Sequence, residues 1–95
     1  MQGSNAYLQH IYQPAHHELE ERFREMLKRN TPNQTYDLCF QELESLALFW
    51  VQSGWDHIGV ERYEMTPYLQ KTMWSLLVKT LIEDLIELHR AAVEA

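Results

Sequence analysis

The stretch from Thr66-Pro67-Tyr68-Leu69 through Ala92-Val93 constrains the fold more than any other, because it reads as one long amphipathic helix. Thr66 offers a side-chain oxygen to the free amides of a first turn, and Pro67 follows where its fixed φ suits a helix and its missing N–H costs nothing. From there Trp74, Leu77, Val78, Leu81, Leu85, Leu88 and Ala92 recur at three- and four-residue spacing, and Ile82, Ile86 and Val93 widen the stripe on one flank. That arc covers about half the circumference, whereas a helix lying on a single neighbour needs a stripe of only ~100°. The helix therefore calls for neighbours on more than one side. At 1.5 Å per residue its roughly 26 residues reach about 39 Å, the width of a small domain.

Two further segments supply those neighbours. Asn5 is a candidate cap for a first helix over about 6–29, in which Leu8, Ile11, Tyr12, Ala15, Leu19, Phe23, Met26 and Leu27 stay in phase. Pro14 interrupts it by removing the bond to the His10 carbonyl, which predicts a helix kinked there or broken, with the helix proper starting at Pro14. On the polar side Glu18 with Arg22, Glu20 with Arg24 and Glu25 with Arg29 are spaced to pair at i, i+4. Next, Thr31, Pro32 and Gln34 form a capping box with proline at the first helical position, and Thr35 is a fallback cap. The second helix runs to about Ser53, where Gly54 ends it. Its stripe is Tyr36, Cys39, Phe40, Leu43, Leu46, Ala47, Trp50 and Val51, which leaves Leu38, Leu48 and Phe49 on a second, weaker apolar surface.

The expected architecture is thus all-α, a three-helix bundle in a single domain over residues 1–95, with a long loop at 54–65 between helices 2 and 3. Within that loop Ile58-Gly59-Val60-Glu61-Arg62-Tyr63 alternates enough to allow a short strand. An apolar fraction of 45% with three Trp, five Tyr and three Phe is ample for a core. No apolar run is long enough and free enough of charge to span a membrane, and the N-terminus lacks a secretion signal. With a single cysteine, a reducing, cytoplasmic setting is expected.

Charge narrows the function classes. The net charge is −6, and residues 30–61 hold Asp37, Glu42, Glu44, Asp56 and Glu61 without a single Lys or Arg. A nucleic-acid binder needs a basic face to displace phosphate counterions, so that class is set aside. No phosphate-binding glycine loop and no activated nucleophile motif occurs, and no cofactor is implied. Cys39 lies in the core stripe without a basic neighbour, and His89 lies on the apolar arc of the last helix as a structural histidine.

Metal chemistry has one candidate. His16 with Glu20, and His17 with Glu21, project together at i, i+4, as iron- and zinc-binding bundles require. No matching Glu-x-x-His appears near His89, so such a centre would have to be assembled by dimerisation. Helical chorismate mutases are similar in length and helix number but clamp a dicarboxylate with inward-facing bases, and here Arg22, Arg24, Lys28 and Arg29 sit among acids on a polar face. The favoured expectation is a non-enzymatic regulatory or accessory protein that binds a protein partner with a basic, partly apolar surface. Trp55, Tyr63 and Phe49 would be its aromatic anchors, rimmed by Asp56, Glu61 and Glu64. Self-association into a homodimer is a further expectation, from the surplus apolar surface at Leu69, Met73 and Leu76 near the start of the last helix.

Overall fold

In a computed structural model, backbone is described for residues 2–53 and 66–95, and side chains for the same residues from Leu8 onward. Three helices make up nearly all of it: α1 spans Gln2–Leu27, α2 Pro32–Ser53 and α3 Pro67–Glu94, with 26, 22 and 28 residues. No strand occurs among the described residues, and all three helix pairs are in contact. The molecule is 43 Å long, which matches the ~42 Å that 28 residues of α3 span. No described helix is long and apolar enough to cross a membrane.

The helix starts follow their local chemistry. Thr31 N–H donates to Gln34 Oε1 at 3.0 Å while Gln34 N–H donates to Thr31 Oγ1 at 3.2 Å, so the capping box closes in both directions. Thr66 has an extended backbone, and its Oγ1 accepts from Leu69 N–H at 3.1 Å with Pro67 at the first helical position. Thr35 does not cap. It is fully buried, and its hydroxyl donates to the Thr31 carbonyl at 2.9 Å.

The first helix departs from expectation at both ends. It begins at Gln2, so Asn5 lies inside it and not at its cap, and it ends at Leu27. It runs unbroken through Pro14, as the continuous reading expects and the helix starting at Pro14 does not. The proline forfeits one backbone bond, but the apolar stripe stays in register on both sides of it: Ile11, Ala15, Leu19 and Phe23 are all buried. Packing of that stripe holds the helix together across the defect.

The core is a stack of these four with Cys39, Leu43, Leu46, Ala47 and Val51 of α2 and Met73, Leu77, Leu81 and Leu85 of α3. Met73 is thus a core residue, and Leu69 packs against the core, so of the surplus expected near the start of α3 only Leu76 is exposed. The arc of α3 is rotated from the expected one toward Met73, which leaves Ile86 and Val93 exposed on the outer flank. In α2, Phe40 is likewise exposed, stacked on Tyr36 at its edge.

Candidate functional site

Polar contacts fix how the helices sit. Arg22 of α1 reaches both Glu18, at 2.6 Å, and Glu42 of α2, at 3.0 Å. Trp50 donates its indole N–H to Glu18 Oε1 at 3.0 Å, and Trp74 donates to the Glu44 carbonyl, also at 3.0 Å. Near the other end of α2, His89 Nε2 lies 2.7 Å from Asn33 Oδ1 and its ring meets Tyr36 edge-on. His89 is therefore a structural contact between α3 and α2, as its place on the apolar arc suggested. Of the pairs expected on α1, Glu18–Arg22 and Glu20–Arg24 form, but Glu25 pairs with Lys28 at 2.9 Å instead of Arg29.

Among the partner-binding residues expected from the sequence, Phe49 lies within the described chain. Trp55, Asp56, Glu61, Tyr63 and Glu64 lie outside the described residues, as do the expected strand and loop. Phe49 is 55% exposed and edge-on to Trp50, with ring centroids 5.3 Å apart. It borders a groove of about 270 Å³ between α1 and α2, lined by Glu18, Arg22, Ser45, Leu46 and Phe49. Trp50, half-buried and bonded to Glu18, stands behind Phe49.

The alternative metal residues do not converge. His16 turns toward α3, with Nδ1 2.8 Å from Asp84 Oδ2 and Nε2 3.9 Å from Glu20. His17 and Glu21 pair with each other at 2.9 Å in solvent. Among the described residues no group of three or more His, Cys, Asp or Glu is placed to hold a metal ion.

What the sequence did not reveal is the partner of His16. Tyr12 donates its hydroxyl to both oxygens of Asp84, at 3.2 and 3.0 Å, and stacks on His16, so Asp84 ties two consecutive turns of α1 to α3. Burial first, then the hydrogen bond to Asp84 and the negative charge around it, push the Tyr12 phenol up to about 12. It stays protonated at neutral pH and is a donor, not a nucleophile. A folded-state value above the ordinary 10.0 means that the native chain holds this proton more tightly than the unfolded one. That contribution to stability is complete below pH 10.0 and is lost as pH rises through about 12. Chemical unfolding across that window should show a fall that Tyr12→Phe flattens; an unchanged slope in the variant would exclude the linkage.

Cys39 is buried, with its thiol 3.8 Å from the Met26 sulfur. Burial, reinforced by Glu42, pushes the thiol up to about 11, so it is an unreactive core group. Alkylation by iodoacetamide at mildly alkaline pH should be slow in the native protein and fast in denaturant. Equal rates would place Cys39 at the surface.

The class defined by these features is an all-α bundle whose helices are joined by polar ties at Arg22–Glu42, Trp50–Glu18, Tyr12–Asp84 and His89–Asn33. Compared with known families, curated proteins and solved structures, the chain matches none.

Proposed function

We propose that this protein acts by binding a partner protein with a basic, partly apolar surface, as a regulatory or accessory factor without a catalytic centre of its own. The observation that carries this reading is Phe49, a large aromatic ring more than half exposed, backed by a Trp50 bonded to Glu18 and next to exposed Leu48 at the end of α2. Rigid aromatic area of this kind supplies most of the energy at binding hot spots. Trp55 and Tyr63 follow in the sequence, and residues 30–61 carry acids with no base, so a partner with basic groups is steered toward this end of the chain.

Affinity capture from native extract with the wild-type chain and with Phe49→Ser and Trp55→Ala tests the reading. Loss of a specific captured protein in both variants, with helical content and melting temperature retained, supports it, and higher salt should slow association. Capture that is indifferent to both substitutions would overturn it. Light scattering on the free protein tests the homodimer, in which a second copy would cover exposed side chains of α3 such as Leu76.

A further inference from the structure

The outward side of α2 is unlike that of a solvated helix. Leu38, Gln41, Ser45, Leu48 and Gln52 succeed one another at three- and four-residue steps on the side opposite the core, with Phe49 beside them. Leu38 is 39% exposed and Leu48 41%, and Phe40 adds a further exposed ring at 47%. Ser45, small and at the middle of the row, opens the groove of about 270 Å³ next to Phe49. The 22-residue helix contains no Lys or Arg. Glu42 is neutralised by Arg22, but Asp37 and Glu44 are exposed and in no ion pair among the described residues.

This pattern decides between occupants. A second copy meeting this face through its own α2 would oppose Asp37 and Glu44 to their like. Near the end of α1 such a copy would bring Arg24 and Lys28 already paired to Glu20 and Glu25, so of its bases only exposed ones such as Arg29, Lys71 and Lys79 could answer these acids, an arrangement that light scattering reads as a dimer. Nucleic acid and anionic lipid are repelled by the same acids. A segment with its own cations gains from them. From Leu38 to Phe49 there are eleven residue steps, about 16 Å, or three helical turns. Leu38, Leu48 and Phe49 stand out of this face as apolar knobs with the polar Gln41 and Ser45 between them, and a second helix meets them with apolar side chains of its own and sets its cations beside Asp37 and Glu44.

We infer that the outward face of α2 is the docking surface for a basic amphipathic helix of a partner protein, with Leu38, Leu48 and Phe49 as apolar contacts and Asp37 and Glu44 as charge contacts. This rests on the interaction reading above and extends it three turns along α2, away from residues 54–65.

The test uses the full chain and a fluorescent synthetic peptide of leucine and lysine, with leucines at three- and four-residue spacing. Two control peptides replace the lysines by glutamate or scramble the leucine positions. Saturable binding by anisotropy is expected for the first peptide only, weakened by salt. It should weaken about tenfold or more in a Leu38→Ser, Phe49→Ser variant and in an Asp37→Lys, Glu44→Lys variant, each with unchanged helical content. Lys79→Ser on α3 serves as a neutral control. Equal binding of the scrambled peptide, or binding indifferent to the α2 substitutions, overturns the inference. So does light scattering that shows those substitutions dissociating a dimer. The single variant Leu38→Ser separates the two levels. Capture from extract that fails with Phe49→Ser but survives Leu38→Ser leaves the interaction reading standing and removes the helix-docking face. Peptide binding that depends on Leu38 while capture ignores Phe49 does the reverse.

Discussion

Replacing Leu81 by alanine is expected to lower the stability of the fold by about 2–5 kcal/mol, the range for a fully buried leucine whose cavity cannot collapse. Leu81 has no exposed surface and sits at the middle of the α3 row Met73, Leu77, Leu81, Leu85, facing buried residues of both other helices. Helices pinned by ties such as Tyr12–Asp84 and Trp74–Glu44 cannot slide inward to fill a void there. A chain of 95 residues has a total stability of roughly 5–14 kcal/mol, so the loss is a large share of it. At roughly 4–8 °C per kcal/mol the melting temperature should fall on the order of 10–30 °C. Urea unfolding with an unchanged slope would confirm that native stability has moved, and a shift below about 1 kcal/mol would show that α3 does not lie at the centre of the core.

Leu81 was legible in the sequence because Leu77 and Val78 before it and Leu85 after it recur at three- and four-residue spacing. Local signals were legible for the same reason: Thr31, Gln34, Thr66 and Pro67 act within one turn of themselves, and their hydrogen bonds formed as read. Rotation of a helix about its axis is harder to read. Met73 and Phe40 are both apolar residues at the edge of an arc, and the sequence placed Met73 outside and Phe40 inside. The structure reverses them, because the helix-pair geometry, and not the arc alone, decides which edge is covered. Thr35 was read as a fallback cap behind Thr31, yet the Thr31 carbonyl satisfies its hydroxyl and lets it be buried.

The tie at Asp84 was not legible at all. Its partners Tyr12 and His16 are 72 and 68 residues away, and a polar pair across two helices depends on their rotation and stagger. The i, i+4 rule drew His16 to Glu20, whereas the structure sets Glu20 at 3.9 Å from His16 and gives it Arg24 at 3.1 Å. Of the proposed interaction site, the exposure of Phe49 followed from its place off the stripe. The exposure of Leu38 and Leu48 followed in the same way, whereas Phe40, off that row, had been assigned to the core stripe and is exposed.

The same substitution at two phenylalanines should separate architecture from surface. Phe23 of α1 is 2% exposed and packs within the core, so Phe23→Ala removes a large buried ring and should cost about 3–5 kcal/mol. Phe49 has most of its ring in solvent and one edge contact with Trp50. Edge contacts between rings contribute ~0.5–1.5 kcal/mol when buried, and an exposed one falls at the low end, so Phe49→Ala should change stability by less than about 1 kcal/mol. Thermal and urea unfolding of the two variants side by side make the comparison. A large loss in Phe49→Ala would show that the ring is covered in the free protein, and the interaction reading would lose its anchor. If instead Phe23→Ala unfolds the chain while Phe49→Ala leaves it intact, Phe49 has no role in holding the bundle together. A ring that the bundle does not need is then available for the proposed contact with a partner.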